Sequence, residues 1–87
     1  MAEPKMEPIG HIAAFFAHPS AAVVELTAPL RVGDTIVVKG HTTDFQQAVE
    51  SMQFEHQAVQ EAQAEQSVGI KMAQRCRKHD VVYKLGG

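Results

Sequence analysis

Leu30-Arg31-Val32-Gly33-Asp34-Thr35-Ile36-Val37-Val38-Lys39-Gly40-His41-Thr42-Thr43-Asp44-Phe45 carries the clearest structural signals in the chain. Gly33-Asp34 is turn chemistry, because glycine takes positive φ without steric cost and an aspartate side chain can bond nearby backbone. Thr35 to Lys39 is a β-branched run of strand length that stops at Gly40. A polar loop, His41-Thr42-Thr43-Asp44, follows it. Upstream, Ile9 to Ala17 holds Ile12 and the pair Phe15-Phe16 and is closed by the turn residues His18-Pro19-Ser20, after which Ala21 to Leu26 reads as a second strand. Three strands within about thirty residues predict an all-β architecture.

The middle of the chain gives two conflicting patterns. From His41 to Val68 there is no Gly or Pro, and Phe45, Ala48, Val49, Met52, Val59 and Ala62 fall on an i, i+3, i+4, i+7 stripe, which taken alone is an amphipathic helix. Met52 and Phe54, however, alternate with Gln53 and Glu55 as in a half-buried strand, and a bulge near Glu50 would bring Val49 into phase. Ser67 to Met72 and Val81 to Leu85 read as the last strands.

The Leu30–Phe45 stretch, together with Val49-Glu50-Ser51-Met52, Ala62-Gln63-Ala64-Glu65-Gln66-Ser67-Val68-Gly69-Ile70-Lys71 and Asp80-Val81-Val82-Tyr83-Lys84, resembles the second-domain β-barrel of translation factors, in the order found in free-standing elongation-factor-Tu-like proteins. The resemblance implies a small closed or nearly closed antiparallel β-barrel of the translation-factor second-domain type. It assigns Phe45 to His56 to one long strand and Val59 to Ala64 to a short turn, and has the final strand close the barrel. The expected organisation is a loose leader over residues 1–8, one barrel domain over residues 9–85, and a tail at residues 86–87. Relatives usually carry Gly where this chain has Glu65, before the Val-Gly-Ile strand, and Gly-Asp where it has His79-Asp80.

Composition bounds the rest. A chain of 87 residues and 9.5 kDa is one domain, and it buries about 60 to 65% of its unfolded surface. No apolar run approaches the roughly 18 residues that span a bilayer. The opening residues Met1 to Pro8 lack the apolar stretch of a signal peptide, so a cytoplasmic protein with no membrane partner is expected. Cys76 is the only cysteine. Its neighbours Arg75, Arg77 and Lys78 could lower its pKa, although a plain structural or surface cysteine is the simpler reading.

No catalytic constellation is present, and the chain is expected to be non-enzymatic. His11, His18, His41, His56 and His79 show no His-x-His or His-x-x-x-His spacing, so neither a zinc pattern nor a cofactor is expected. Nucleotide hydrolysis is excluded because no phosphate-cradling G-x-x-x-x-G-K-[ST] loop occurs.

Charge is uneven. From Gly40 to Ile70 there is no Lys or Arg, while Asp44, Glu50, Glu55, Glu61 and Glu65 sum to −5; from Lys71 to Gly87 the balance is +4. Arg75, Arg77 and Lys78 fall in an expected loop, where they form either a solvated turn or a compact patch for phosphate or an acidic partner. His41, Thr42, Thr43 and Asp44 are the second candidate binding loop, with turn-shaping side chains as the plainer alternative. If Phe15 and Phe16 share a regular strand, only one can face the core.

The resemblance implies an RNA- or ribosome-associated accessory contacting tRNA or the ribosome. A net charge of −2 is poor for nonspecific nucleic-acid binding. The alternative is a protein-interaction module, because similar barrels are appended to collagenase-like peptidases. A remote third reading takes Leu85-Gly86-Gly87 as the tail of a Gly-Gly carrier protein, which would need a β-grasp fold. If Glu65 and His79 occupy glycine-type turns at a cost of about 1 kcal/mol each, Glu65→Gly and His79→Gly will be neutral or stabilising in thermal melts. Clear destabilisation by both would mean that these loops are built differently.

Overall fold

The computed structural model describes residues 5–17 and 20–86. Among them lie ten strands: β1 (Lys5–Phe16), β2 (Ala21–Leu26), β3 (Leu30–Arg31), β4 (Thr35–Lys39), β5 (Asp44–Ala48), β6 (Met52–Phe54), β7 (Gln57–Val59), β8 (Glu61–Ala62), β9 (Ser67–Lys71) and β10 (Val81–Gly86). Eight form one sheet in the order β5-β4-β10-β1-β2-β9-β6-β7, and β3 pairs with β8 apart from it. Every pairing is antiparallel.

Alternation explains why these segments are strands. In β2, Ala22, Val24 and Leu26 are buried while Glu25 is exposed, and in β9 Val68 and Ile70 are buried on either side of Gly69. Ile9, Ile12, Ile36, Val38, Val82, Leu30, Val49 and Met52 complete a single core. Each fully buried Val, Leu or Ile contributes about 1.5 to 3 kcal/mol relative to exposure.

β1 is the pivot. Its first half pairs with β10, from Lys5↔Gly86 to His11↔Val81, and its second half pairs with β2, from Gly10↔Leu26 to Phe16↔Ala21. The register shifts between Pro8 and Gly10 on one side and between Ile12 and Ala14 on the other, so the strand bends as it passes between partners. A side chain at residue 10 would collide with the Glu25 carbonyl, which makes glycine the residue that permits the crossing.

Several expectations are corrected. β1 takes in residues 5–8, which the sequence had placed in the leader, and Gly86 lies inside β10 opposite Lys5 rather than in a tail. The helical stripe is not a helix. The single strand expected over Phe45–His56 is broken at residues 49–51, because Val49 turns into the core and pairs with the Gly33-Asp34 turn. There, Gly33 N–H donates to Val49 O at 2.8 Å and Val49 N–H donates to Asp34 O at 2.8 Å. The turn expected over Val59–Ala64 instead contains β8, paired with β3. β10 does not close an edge; it lies inside the sheet between β4 and β1. The ends of the sheet are β5 and β7, and among the described residues no backbone ladder joins them. A side chain instead ties β5 to the end of β9: Gln47 Nε2 donates to Lys71 O at 2.8 Å, and Ala73 N–H donates to Gln47 Oε1 at 2.6 Å. The His18-Pro19 turn lies outside the described residues.

Among the described residues, four that are not glycine have positive φ: Glu55 at 52°, His56 at 66°, Glu65 at 70° and His79 at 78°. The last two occupy the positions where glycine-type turns were expected. The first two form the two-residue connection between β6 and β7, where Phe54↔Gln57 is the last pair. Positive φ at both central residues favours Asn-Gly there. Replacing Glu55-His56 by Asn-Gly is expected to stabilise the domain by about 1 kcal/mol, which raises Tm by roughly 4 to 8 °C for a chain of this size. A lowered Tm would show that the native pair makes contacts outweighing its backbone strain.

Candidate functional site

The loop between β9 and β10 is short of regular structure but well anchored. Met72 N–H donates to Ser20 O at 2.9 Å, and the Ser20 hydroxyl donates to Met72 O at 3.0 Å. At the far end, the buried Asp80 carboxylate accepts Arg77 N–H at 2.8 Å while Asp80 N–H donates to Arg77 O at 3.1 Å, so residues 77–80 form a tight turn with His79 in the left-handed region. The turn is stitched to β1 by His79 N–H donating to Ile12 O and Ile12 N–H donating to Asp80 O, both at 2.8 Å. A side chain at residue 40 would collide with the Asp80 carboxyl group, so Gly40 lets the end of β4 press against this turn.

This anchoring brings the candidate residues to one end of the sheet. Arg75, Arg77 and Lys78 project from the loop and are exposed. The ion pairs among the described residues are His11–Glu25 at 3.0 Å, Arg31–Glu61 at 2.8 Å and Lys84–Asp34 at 3.5 Å, and none involves those three cations. The nearby carboxylate of Asp80 is committed to its own turn. Arg31 and Gln63 hold the Glu61 carboxyl below its ordinary range through hydrogen bonds.

Facing the cations across a shallow cleft of about 550 Å³ is the second half of β1, so that Ala13, Ala14 and Phe15 form one wall and residues 75–78 the other. Phe15 packs partly against the core, whereas Phe16 is 55% exposed. The His41–Asp44 loop stands at the same end, beyond Gly40, but it does not line the cleft. Its turn is held by Gly40 N–H donating to Thr43 O at 2.7 Å rather than by an Asp or Thr side chain; Thr43 is buried, and His41, Thr42 and Asp44 are exposed.

Cys76 belongs to the loop's interior. Burial, and then the charge of Asp80, push its thiol up to about 11, opposite to the lowering that its basic neighbours suggested. A thiol so placed stays protonated at neutral pH and is a poor nucleophile. Among the described residues, no three of His, Cys, Asp and Glu are grouped so as to hold a metal ion, and no helix is long and apolar enough to cross a membrane. The sequence reading missed Asp80 as the anchor of the basic loop. The signal available for it was an aspartate three residues after Arg77, at turn spacing.

The fold matches two crystal structures of the C-terminal domain of a Geobacillus thermoleovorans protein assigned to the U32 peptidases. One covers 92% of this chain and 93% of that domain with a TM-score of 0.86; the other, a selenomethionine variant, covers 87% and 96% with a TM-score of 0.83. Both are 20% identical to this chain. In sequence, the chain is 38% identical over 78 residues to an uncharacterised protease of Methanocaldococcus jannaschii, and spans 88% of its own length but only 19% of that relative's. No family model matches. These relatives correct the resemblance to free-standing elongation factors and the translation role taken from it. The Val-Gly-Asp and Val-Gly-Ile signals mark turns and strands of a fold, and a fold carries no function by itself.

The sign of the pH response follows from the raised Cys76 pKa. The folded thiol keeps its proton to higher pH than the unfolded one, so this group's stabilisation is complete below the ordinary 9.0 and is lost as pH rises towards about 11. Iodoacetamide labelling of the folded chain is accordingly expected to be slow at neutral pH. Asp80→Ala is expected to cost about 1 to 3 kcal/mol and to speed that labelling by loosening the loop. Labelling of the unmutated chain at the rate of a free cysteine would overturn this placement.

Proposed function

We propose that the chain is a non-catalytic recognition domain of the kind carried by U32-type peptidases, binding polypeptide through the end of the sheet where β1 faces the basic loop. The observation that carries this reading is the match to the M. jannaschii protease: 38% identity over most of this chain falls within about a fifth of a much longer protein, as expected for a module beside a separate catalytic body. The G. thermoleovorans structures are of a C-terminal domain taken by itself, whose length this chain nearly equals.

The surface agrees with recognition rather than chemistry. Phe15 lines the cleft with three cations that make no ion pair among the described residues, its neighbour along β1, Phe16, is a large exposed apolar side chain, and Cys76, a nucleophilic residue type in the cleft lining, is held as a thiol. Aromatic and arginine side chains are the residue types enriched where proteins bind one another. The overall charge of −2 is poor for tracking a nucleic-acid phosphate backbone.

We also read the sheet as a nearly closed barrel. The Gln47 amide ties β5 to the end of β9 through two hydrogen bonds, in the place where backbone pairing is lacking. Such a bridge would hold the β5 edge against the end of β9 and the start of the loop that follows it.

The test is an amide-shift titration of the isotope-labelled chain with reduced, carboxymethylated lactalbumin as an unfolded polypeptide, and separately with bulk tRNA, each at low and raised salt. Shifts with the polypeptide that raised salt weakens without abolishing are expected. Silence with polypeptide, together with salt-sensitive shifts on adding tRNA, would overturn the reading.

A further inference from the structure

The second half of β1 has a strand on one side only. Ala14, Phe15 and Phe16 pair with Val23, Ala22 and Ala21 of β2, but on the opposite side the ladder with β10 ends at His11↔Val81. The last backbone bonds on that side are the two between Ile12 and the His79-Asp80 turn. Among the described residues, no strand flanks residues 13–16 there. What stands opposite instead is the loop of residues 75–78, across the cleft of about 550 Å³. A bare strand edge is a template for a further strand, which would lie roughly 4.8 Å away.

We propose that an extended acidic polypeptide segment adds as a strand along the Ala13–Phe16 edge of β1, with Arg75, Arg77 and Lys78 receiving its carboxylates and Phe16 its apolar side chains. This rests on the recognition-domain reading and names the partner's chemistry. Strand addition takes affinity from main-chain hydrogen bonds and specificity from side chains on either face. The three cations have no ion-pair partner among the described residues, and Asp80, the carboxylate beside them, is buried and bonded to Arg77 N–H. Their field is therefore left for a ligand. Three cations in a short loop do not make the extended basic stripe that tracks a nucleic-acid backbone, and the Asp44 carboxylate stands at the same end.

The experiment titrates the labelled chain with the acetylated, amidated hexapeptide Glu-Val-Glu-Val-Glu-Val, its Lys-Val counterpart, and the Glu-Val peptide N-methylated at alternate residues in both registers. The expected result is shifts at residues 13–16 and 73–80 with the Glu-Val peptide, binding weakened about tenfold or more by Arg75→Glu/Arg77→Glu/Lys78→Glu, and loss of binding in at least one N-methylated register. These three side chains are exposed and make no hydrogen bond or ion pair among the described residues, so the variant should keep its native spectrum and melt; Arg75→Gln/Arg77→Gln/Lys78→Gln serves if it does not. Equal binding of the Lys-Val peptide would overturn the charge assignment, and equal binding of both N-methylated peptides would overturn strand addition. Lactalbumin shifts at this end of the sheet, with the hexapeptide silent, would sink this inference and leave the recognition reading standing, whereas lactalbumin shifts confined to another face would remove both. Silence with every polypeptide would remove both.

Discussion

The crossing of β1 between two partners is the constraint on which the rest of the fold depends. One strand joins the C-terminal strand β10 to the β2–β9–β6 portion of the sheet, and it can do so only by shifting register twice within a few residues. Gly10 permits the shift because the Glu25 carbonyl lies where a side chain would be. A methyl group there would force the two backbones apart and disturb pairing with both β2 and β10. The bend also places Ile9 and Ile12, which are buried, against residues drawn from both halves of the chain.

The same crossing creates the unpaired surface. Because β1 is longer than β10 is able to cover, its second half runs on past Val81 with one bare edge. The chain fills part of that space with a loop instead of a strand, anchored by Asp80 below and by Ser20 and Gln47 above. A loop fastened at both ends by hydrogen bonds presents its intervening side chains with little freedom to rearrange. Arg75, Arg77 and Lys78 are thereby held outward while Cys76 and Met72 turn into the core.

Backbone strain is distributed over turns that lack glycine. Glu55, His56, Glu65 and His79 each hold a positive φ that a residue with a Cβ adopts at a cost of about 1 kcal/mol. Gly33, at 101°, is the turn where the chain uses the unstrained residue, and it is there that Val49 is captured. That capture breaks the middle strand and turns a continuous polar-apolar run into β5, β6 and the β6–β7 hairpin.

The β-branched run Thr35–Lys39 and the segment Ala21–Leu26 determined their own strands, since alternation, residue shape and flanking turn residues all agree there. The sequence also determined that a cluster of cations would sit in a loop, whereas the glycine-type turns at Glu65 and His79 were implied by the resemblance and not by any local pattern. It could not determine the break at Val49, the Glu55-His56 hairpin or the small β3–β8 pair, because each depends on a partner distant in sequence. The direction of the Cys76 shift lay beyond the sequence for the same reason: its neighbours along the chain are cations that could lower the pKa, whereas its neighbours in space are the core and a carboxylate that raise it, in keeping with the plainer reading of a structural cysteine. Local pattern fixed which residues could be strands, but only tertiary structure decided which edges are paired. The open edge of β1 beside the basic loop is a consequence of where β10 begins in space, and no local propensity encodes it.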